Sequence, residues 1–283
     1  MELNGIVLVD KKIGNSTTKE EIPLKRIFDT RKVGHLGTLD PFASGLIICG
    51  VNKGTKIFPL IEDFDKTYQA TLKLGVKTDS LDLTGNIIKT QEIKSHSKQE
   101  IENVLNSFLG EIDQLPPMYS AIKIDGVPLY KLARENKEIE RKLRKVTIKE
   151  ITLDSFTNDT ITFTSKVSKG TYIRTLGEDI ASKLGELGHL TYLRRTKIGN
   201  FDVNNAKQIE NITTFDLINV ERVLDFIPKF HVNSTLIHYV QNGNIIFLNN
   251  IKEDRLLMIY NNKVIAIYQR IDDTNKFKAL QMF

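Results

Sequence analysis

Hydrophobic and polar positions alternate along this chain with two different periods, and the elements they predict are short and mixed in type. Ile6–Val9 is an apolar run closed by the polar turn DKKIGNS, which predicts a buried strand at the start of a sheet. Leu46–Val51 is a second such run. Lys66–Leu74 alternates, with Tyr68, Ala70, Leu72 and Leu74 on one face and Thr67, Gln69, Thr71 and Lys73 on the other. Val146–Leu153 and Ile161–Val167 read as an antiparallel pair turning at Asn158-Asp159, and Leu190–Ile198 as a further strand. Helical spacing is clearest over Ser97–Gly110. Ser97 caps it with Glu100 three residues on, Ile101, Val104, Leu105, Phe108 and Leu109 form the buried stripe, and Gly110 stops it. Ile173, Leu176, Ile180 and Leu184 mark another helix, ending at Gly185. Thr17 and Thr18 each precede a glutamate at capping-box spacing, but Pro23 predicts that this helix begins near Ile22 or kinks at the proline.

Other stretches punctuate this pattern. Gly75–Gly85 is turn-rich, with Asp79, Asp82 and Thr84. Pro116-Pro117 introduces a strand-like Tyr119–Ile124, a hairpin-type turn at Asp125-Gly126 and a short helix over Leu129–Asn136. Few apolar residues follow Leu132, so this block is expected to project from the core. After about residue 200 asparagine becomes frequent, and a connecting region runs through Glu221–Pro228. Leu256–Tyr260 and Val264–Tyr268 form an expected hairpin around Asn261-Asn262-Lys263, within a small β-rich domain that starts at about Lys229.

Composition narrows the class. With 283 residues, 40% hydrophobic and 27% charged, the chain suits a soluble globular protein of one large domain, or one plus a small one. No apolar run approaches the ~18 residues of a membrane span, and the N-terminus lacks a signal-peptide pattern. Cys49 is the single cysteine, which rules out an internal disulfide and a cysteine-rich metal site, and its apolar surroundings predict a buried small side chain. The cytoplasm is the expected compartment. The net charge of +5 resides entirely in residues 1–200, which hold 31 Lys and Arg against 26 Asp and Glu. Ala121–Glu150 alone carries nine basic and five acidic groups, including the run RKLRK at Arg141–Lys145. Phosphate backbones are the commonest reason for such concentration, a solvated loop the plainer one.

The candidate chemistry gathers in two stretches. Val33–Ile48, VGHLGTLDPFASGLII, reads as a shaped loop that holds His35 and Asp40 ahead of a buried strand. Pro41 pushes Asp40 toward extended geometry, and Gly34, Gly37 and Gly45 allow tight turns or close approach. A carboxylate there serves as a nucleophile, a general base, an Asx-turn residue or a cap, and a turn role is commonest. His35 has no histidine at metal-ligand spacing and reads first as a surface hydrogen-bonder. In Ser168–Thr175, SKGTYIRT, Arg174 falls at the positive end of a helix, where a cation is unwelcome unless an anion is close or the side chain reaches solvent. Tyr68 belongs by default to the core. Leu193 shares a face with Thr191, Arg195 and Lys197, which suggests a contact outside the core. No metal constellation, Walker loop, GxGxxG or Ser/Cys–His pair stands out, so neither metal nor cofactor is expected.

Together these stretches resemble bacterial tRNA pseudouridine-55 synthases, the TruB family. GHLGTLDPFASGLI is similar to the family's GHxGxLDPxAxGxL, and Asp10-Lys11 with Gly14 and Ser16 to its opening DKPxGxS. Lys66-Thr67-Tyr68 resembles its KxY strand and Pro117–Lys123 its PxxSAxK; SKGTYIRT and LTYLRR complete the order. The resemblance covers about residues 3–225 and departs from the family at Lys12, Pro23 and Gly50-Val51.

The resemblance implies an α+β pseudouridine synthase fold: a central mixed, largely antiparallel β-sheet flanked by helices and loops, plus a small β-rich C-terminal PUA-like domain. It implies a catalytic domain over 1–225, with an RNA-gripping insertion at about 113–149, and an RNA-binding domain over 229–283. Asp40 would be the catalytic nucleophile, Tyr68 the ring that stacks on uracil and is implicated in proton removal, and Arg174 the partner of the aspartate. Tyr172, Leu193 and Lys11 would contact substrate, and His35 would enter the RNA stack when the base leaves it. The implied reaction is cofactor-free isomerisation of uridine 55 in the T stem-loop of tRNA, by a monomer that needs no membrane and no protein partner. Two other classes compete: a tRNA-binding or tRNA-folding module with an idle site, and a glycoside hydrolase, which would need a second acid beside Asp40.

Overall fold

The computed structural model describes residues 3–124, 126–135, 137 and 139–283. The two apolar runs become neighbouring antiparallel strands, β1 (Gly5–Lys11) and, beyond a short β2 (Val33–Leu36), β3 (Ser44–Val51). Every residue of β3 is buried, as expected of a strand covered on both faces. The alternating stretch is β4 (Lys66–Leu74), whose burial alternates residue by residue. Beyond it come β5 (Gly110–Gln114), β6 (Arg144–Phe156), β7 (Thr160–Val167) and β8 (Gly188–Ile198). These strands form one ten-stranded sheet in the order Ile218–Asn219, β1, β3, β8, β4, β7, β6, β5, with β2 paired to β3 and Phe201–Asp202 to β8. All pairings are antiparallel except β3 with β8, so the expected mixed, largely antiparallel sheet is present.

That one parallel junction is short and tight. Ser44 and Gly45 stand opposite Arg194 and Arg195, and Gly45 has φ +103°. A Cβ at Gly45 would overlap the backbone of Arg195. Gly45→Ala is therefore expected to cost about 3 kcal/mol or more, through strain and displaced backbone together. Urea denaturation would show it as a lower midpoint at unchanged slope.

The longest helices among the described residues pack on the sheet: α1 (Thr17–Ile27), α2 (Lys98–Asn106) and α3 (Ile173–Lys183). α1 corrects the expected start near Ile22. It begins at Thr17 and runs through Pro23, whose missing N–H would have met the carbonyl of exposed Lys19, where water can substitute. The Thr17 hydroxyl makes no cap. It accepts from Leu39 N (3.0 Å) and donates to Leu39 O (3.1 Å), fastening the helix to the stretch ahead of Asp40. In α2 the Ser97 hydroxyl accepts from Glu100 N as expected, but the helix ends at Asn106 and leaves Leu109 exposed. β2 is a second correction: of the loop expected ahead of the Leu46–Val51 strand, Val33–Leu36 and Ser44–Gly45 are strand and only Gly37–Ala43 is loop.

Between β5 and β6 the chain leaves the sheet. Of the strand expected over Tyr119–Ile124, only Lys123–Ile124 forms, paired with Val127–Pro128 across Gly126 at φ +80°. The Ser120 and Ile122 carbonyls instead accept from Tyr130 N and Leu129 N. Asp125 of that turn lies outside the described residues, as does Asn136 at the end of the expected helix, which spans Leu129–Arg134. Pro116, Pro117, Ser120 and Leu129 anchor the block, and its described residues from 130 to 143 are half-buried or exposed.

The tail forms a five-stranded sheet. Its strands are β9 (Lys229–His231), β10 (Ile246–Phe247), β11 (Arg255–Tyr260), β12 (Lys263–Arg270) and β13 (Lys276–Met282), in the order β9, β11, β12, β13, β10. Asn261 and Asn262 both take positive φ, the conformation that suits a tight hairpin. Leu257, Ile259 and Ile267 share a buried cluster with Ile6, Leu8 and Ile48, so this β-rich unit is seated on the main sheet. The connecting region is packed too, with Val223, Leu224 and Ile227 in that cluster.

Candidate active site

The loop Gly37–Ala43 carries Asp40 at the end of the sheet where β3 and β8 run parallel. Two buried cations draw its carbonyls inward. Lys11 Nζ donates to Ala43 O (2.6 Å), Lys12 O (2.9 Å) and Pro41 O (3.3 Å). Arg195 donates through Nε to Leu46 O (2.7 Å) and through Nη2 to Gly37 O (2.8 Å). With Thr17 holding Leu39, the loop is tied on both flanks, and the Asp40 carboxylate is left to face a cavity.

Arg174 meets it there. From the first turn of α3 its Nε stands 2.9 Å from Asp40 Oδ2, and its Nη2 donates to Asp40 Oδ1 at 3.2 Å. This is the anion that the helix position called for. The guanidinium also donates to Ser80 O (3.0 Å) and Tyr119 O (2.7 Å), and Asp82 Oδ2 lies 3.5 Å away. It thereby ties together the Asp40 loop, the 75–85 turn and the projecting block. The Arg174 side chain is 3% exposed, whereas that of Asp40 keeps 36% open toward the cavity.

Burial raises the Asp40 pKa above its ordinary value, and the Arg174 charge opposes that rise. A reaction that needs the Asp40 anion should therefore lose rate on acidification at a pH above the usual carboxylate range. Single-turnover rates across pH 4–8 would show that limb.

The cavity holds about 310 Å³, at the small end of the range of ligand sites. Tyr68, Tyr172 and Leu193 line it together with Asp40 and Arg174. Tyr68 and Leu193 come from adjacent strands in the register Ala70–Leu193 and Tyr68–Arg195, which puts all four residues on one face. Leu193 corrects the simple alternation read from sequence. Bulges between Leu190 and Tyr192, and between Arg195 and Lys197, shift the pattern so that Leu193 and Arg195 turn inward while Lys197 stays exposed. Tyr172 precedes α3, where buried Gln114 accepts from its backbone N (2.8 Å) and donates to its O (3.0 Å).

Two of the expected residues lie elsewhere. Lys11 is beneath the loop, with its ammonium engaged by three carbonyls. His35 is on β2, next to the Leu36–Thr38 rim of the cavity; its ring nitrogens meet Glu21 Oε1 (2.6 Å) and Thr38 Oγ1 (3.1 Å). Among the described residues no group of three His, Cys, Asp or Glu side chains is placed to hold a metal ion.

Comparison with known proteins places the chain in a family. Residues 25–173 match the TruB family pseudouridylate synthase (N terminal domain), and residues 174–225 the tRNA pseudouridylate synthase B C-terminal domain. The chain belongs to the TruB family. It is 38% identical to the tRNA pseudouridine synthase B of Oenococcus oeni over 98% of this chain and 97% of the relative. Identity to the Bordetella avium protein of the same name is 46%, over 74% of this chain and 86% of the relative. The Borreliella burgdorferi (strain ZS7) protein is 37% identical over 99% of both. Among solved structures, a Cbf5–Nop10–Gar1 complex superposes with TM-score 0.73 at 21% identity, covering 99% of this chain and 84% of that chain, a likeness of fold. An H/ACA RNP bound to a substrate RNA gives TM-score 0.72 at 20% identity, covering 99% and 84%.

In this TruB-family isomerase, residues that periodicity did not mark also pack against the cavity. Asp82 is a buried carboxylate bound by Thr84 N (2.9 Å), Thr84 Oγ1 (2.6 Å) and Ser80 Oγ (2.8 Å), and it stands behind Arg174. The Asp-x-Thr spacing in a turn-rich stretch signals that self-bonded loop but not its neighbour. Gln114, at the end of β5, and Arg195, within β8, are buried polar residues whose contacts no local pattern signals.

Proposed function

We propose that this enzyme converts uridine 55 in the T loop of tRNA to pseudouridine, acting on a uridine flipped out of its stack into the Asp40 cavity. The observation that carries this reading is the Asp40–Arg174 pair facing Tyr68, Tyr172 and Leu193 in one cavity. The relatives named tRNA pseudouridine synthase B support the substrate class.

In this reading Asp40, held as an anion by the Arg174 fork, is the nucleophile that detaches uracil from the ribose. The freed ring turns against the faces of Tyr68 and Tyr172, with Leu193 closing the apolar side. Re-attachment through C5 forms the C–C bond, displaces Asp40 from the ribose and releases the C5 proton to a base, for which Tyr68 is a candidate, while N1 takes up a proton. Atoms balance without an oxidant or a donor, which suits cofactor-free chemistry. Extruding a stacked base costs a few kcal/mol. His35, outside the cavity at its Leu36–Thr38 rim, suits a ring that fills the vacated stack without touching the base. The basic block of 113–149 and the PUA-like tail would grip the rest of the tRNA, and a monomer with a buried lone cysteine fits work in the cytoplasm.

Binding of a T stem-loop carrying 5-fluorouridine at the target position tests the reading. It should bind at least about tenfold tighter than a hairpin of scrambled loop sequence, and Asp40→Asn should retain that preference. Equal affinity for both hairpins would overturn it.

A further inference from the structure

We propose that Lys66 and Arg195 form an anion-binding pole of the Asp40 cavity, which receives a phosphodiester next to the target nucleotide. The inference rests on the uridine-flipping reading above and adds a subsite to it.

The charges that line the cavity do not cancel. Asp40 and Glu62 supply two carboxylates, and Lys66, Lys169, Arg174 and Arg195 supply four cations. Arg174 pairs with Asp40, and Lys169 with Glu62 at 2.9 Å. Lys66 and Arg195 remain, each buried, and among the described residues neither has a carboxylate within ion-pair distance. Among the described residues Lys66 Nζ donates to Glu62 O alone (2.6 Å), which leaves two of its protons uncommitted there. Arg195 uses Nε on the β3 carbonyl of Leu46 and Nη2 on the loop carbonyl of Gly37, and its Nη1 has no partner among the described residues. Buried cations without counter-charge are costly, and proteins keep them where a ligand supplies the charge. Burial, then the charges of Arg195 and Lys169, lower the Lys66 pKa to about 8 against the weaker opposing pull of Asp63 and Asp65.

The spacing suits a nucleotide. Lys66 and Tyr68 are two residues apart on one face of β4, roughly 6.5 Å along the strand. Arg195 lies directly across from Tyr68 on β8. A uracil against the Tyr68 ring would thus have its sugar-phosphate chain running toward this pole. A free carboxylate or sugar ligand would not need both a stacking ring and two cations one strand-repeat away.

The test neutralises the phosphate instead of the protein. A T stem-loop is made with one methylphosphonate, on the 5′ or the 3′ side of the target uridine, each against a matched 2′-deoxy control. Wild-type single-turnover rate at subsaturating enzyme should fall about tenfold to a hundredfold for one of the two linkages. Lys66→Met should lose a similar factor on the native hairpin, and the methylphosphonate should then cost it less than about threefold more. The salt slope of binding should also drop by about one in Lys66→Met. If neither linkage changes the wild-type rate by more than about twofold, or if the two losses multiply, the subsite is refuted. The wild-type measurement stands even if Lys66→Met does not fold. No pseudouridine from the unmodified hairpin would instead refute the underlying reading.

Discussion

Asp40→Asn is expected to abolish pseudouridine formation, lowering single-turnover rate by roughly a thousandfold or more while leaving RNA affinity within a few-fold. Loss of an attacking group removes the chemical step itself, and such losses are among the largest that single substitutions produce. Stability should move the other way. A carboxyl whose native pKa is raised holds its proton more tightly folded than unfolded. Its effect on stability is therefore most favourable below the unfolded value, and declines as pH rises through the folded one. At neutral pH the ionised Asp40 is a cost to the fold, and asparagine removes it. Arg174 keeps Ser80 O, Tyr119 O and Asp82 as partners in that variant. The melting temperature at pH 7.5 should be unchanged or higher, and a marked fall would show that Asp40 serves the fold more than the chemistry.

Arg174→Lys should cost a hundredfold or more in turnover with little loss of tRNA affinity. Lysine retains the charge but not the planar fork that spans both Asp40 oxygens and reaches Ser80 O and Tyr119 O. Arg174→Met goes further and leaves Asp82, almost wholly buried, beside Asp40 with no cation between them. A destabilisation of about 3 kcal/mol is expected from that uncompensated charge. Any residual activity should show its acid limb shifted to higher pH, because the group that opposes the rise of the Asp40 pKa is gone. Comparable losses of affinity and turnover in Arg174→Lys would contradict a role confined to the aspartate.

Much of this site was legible before any coordinates. Arg174 at the start of a helix called for a close anion or a route to solvent, and it meets Asp40. Tyr68 and the alternation of β4 were readable because period two is a local property of a strand. What local pattern could not supply was register. The bulges that turn Leu193 and Arg195 to the inner face, and the parallel junction that makes Gly45 indispensable, depend on strands far apart in sequence. α1 was misjudged for a related reason. Its proline is tolerated because the carbonyl it orphans is on an exposed residue, a fact of burial and not of propensity. The loop around Asp40 was expected to be longer because its glycines read as loop residues, yet Gly34 pairs with Gly50 inside a ladder. Asp82 is a second acid near Asp40, the feature a glycoside hydrolase would need. Its oxygens are bound within its own turn and face Arg174, and Glu62, the other carboxylate lining the cavity, pairs with Lys169, which does not suit an acid that protonates a leaving group.

The most direct measurement is carbodiimide mapping of pseudouridine in an unmodified elongator tRNA transcript incubated with the purified protein. The account predicts one new pseudouridine, at position 55 of the T loop, formed by wild type without added metal or cofactor and absent with Asp40→Asn. A T loop left unmodified by wild type, or modified equally by both proteins, would contradict it.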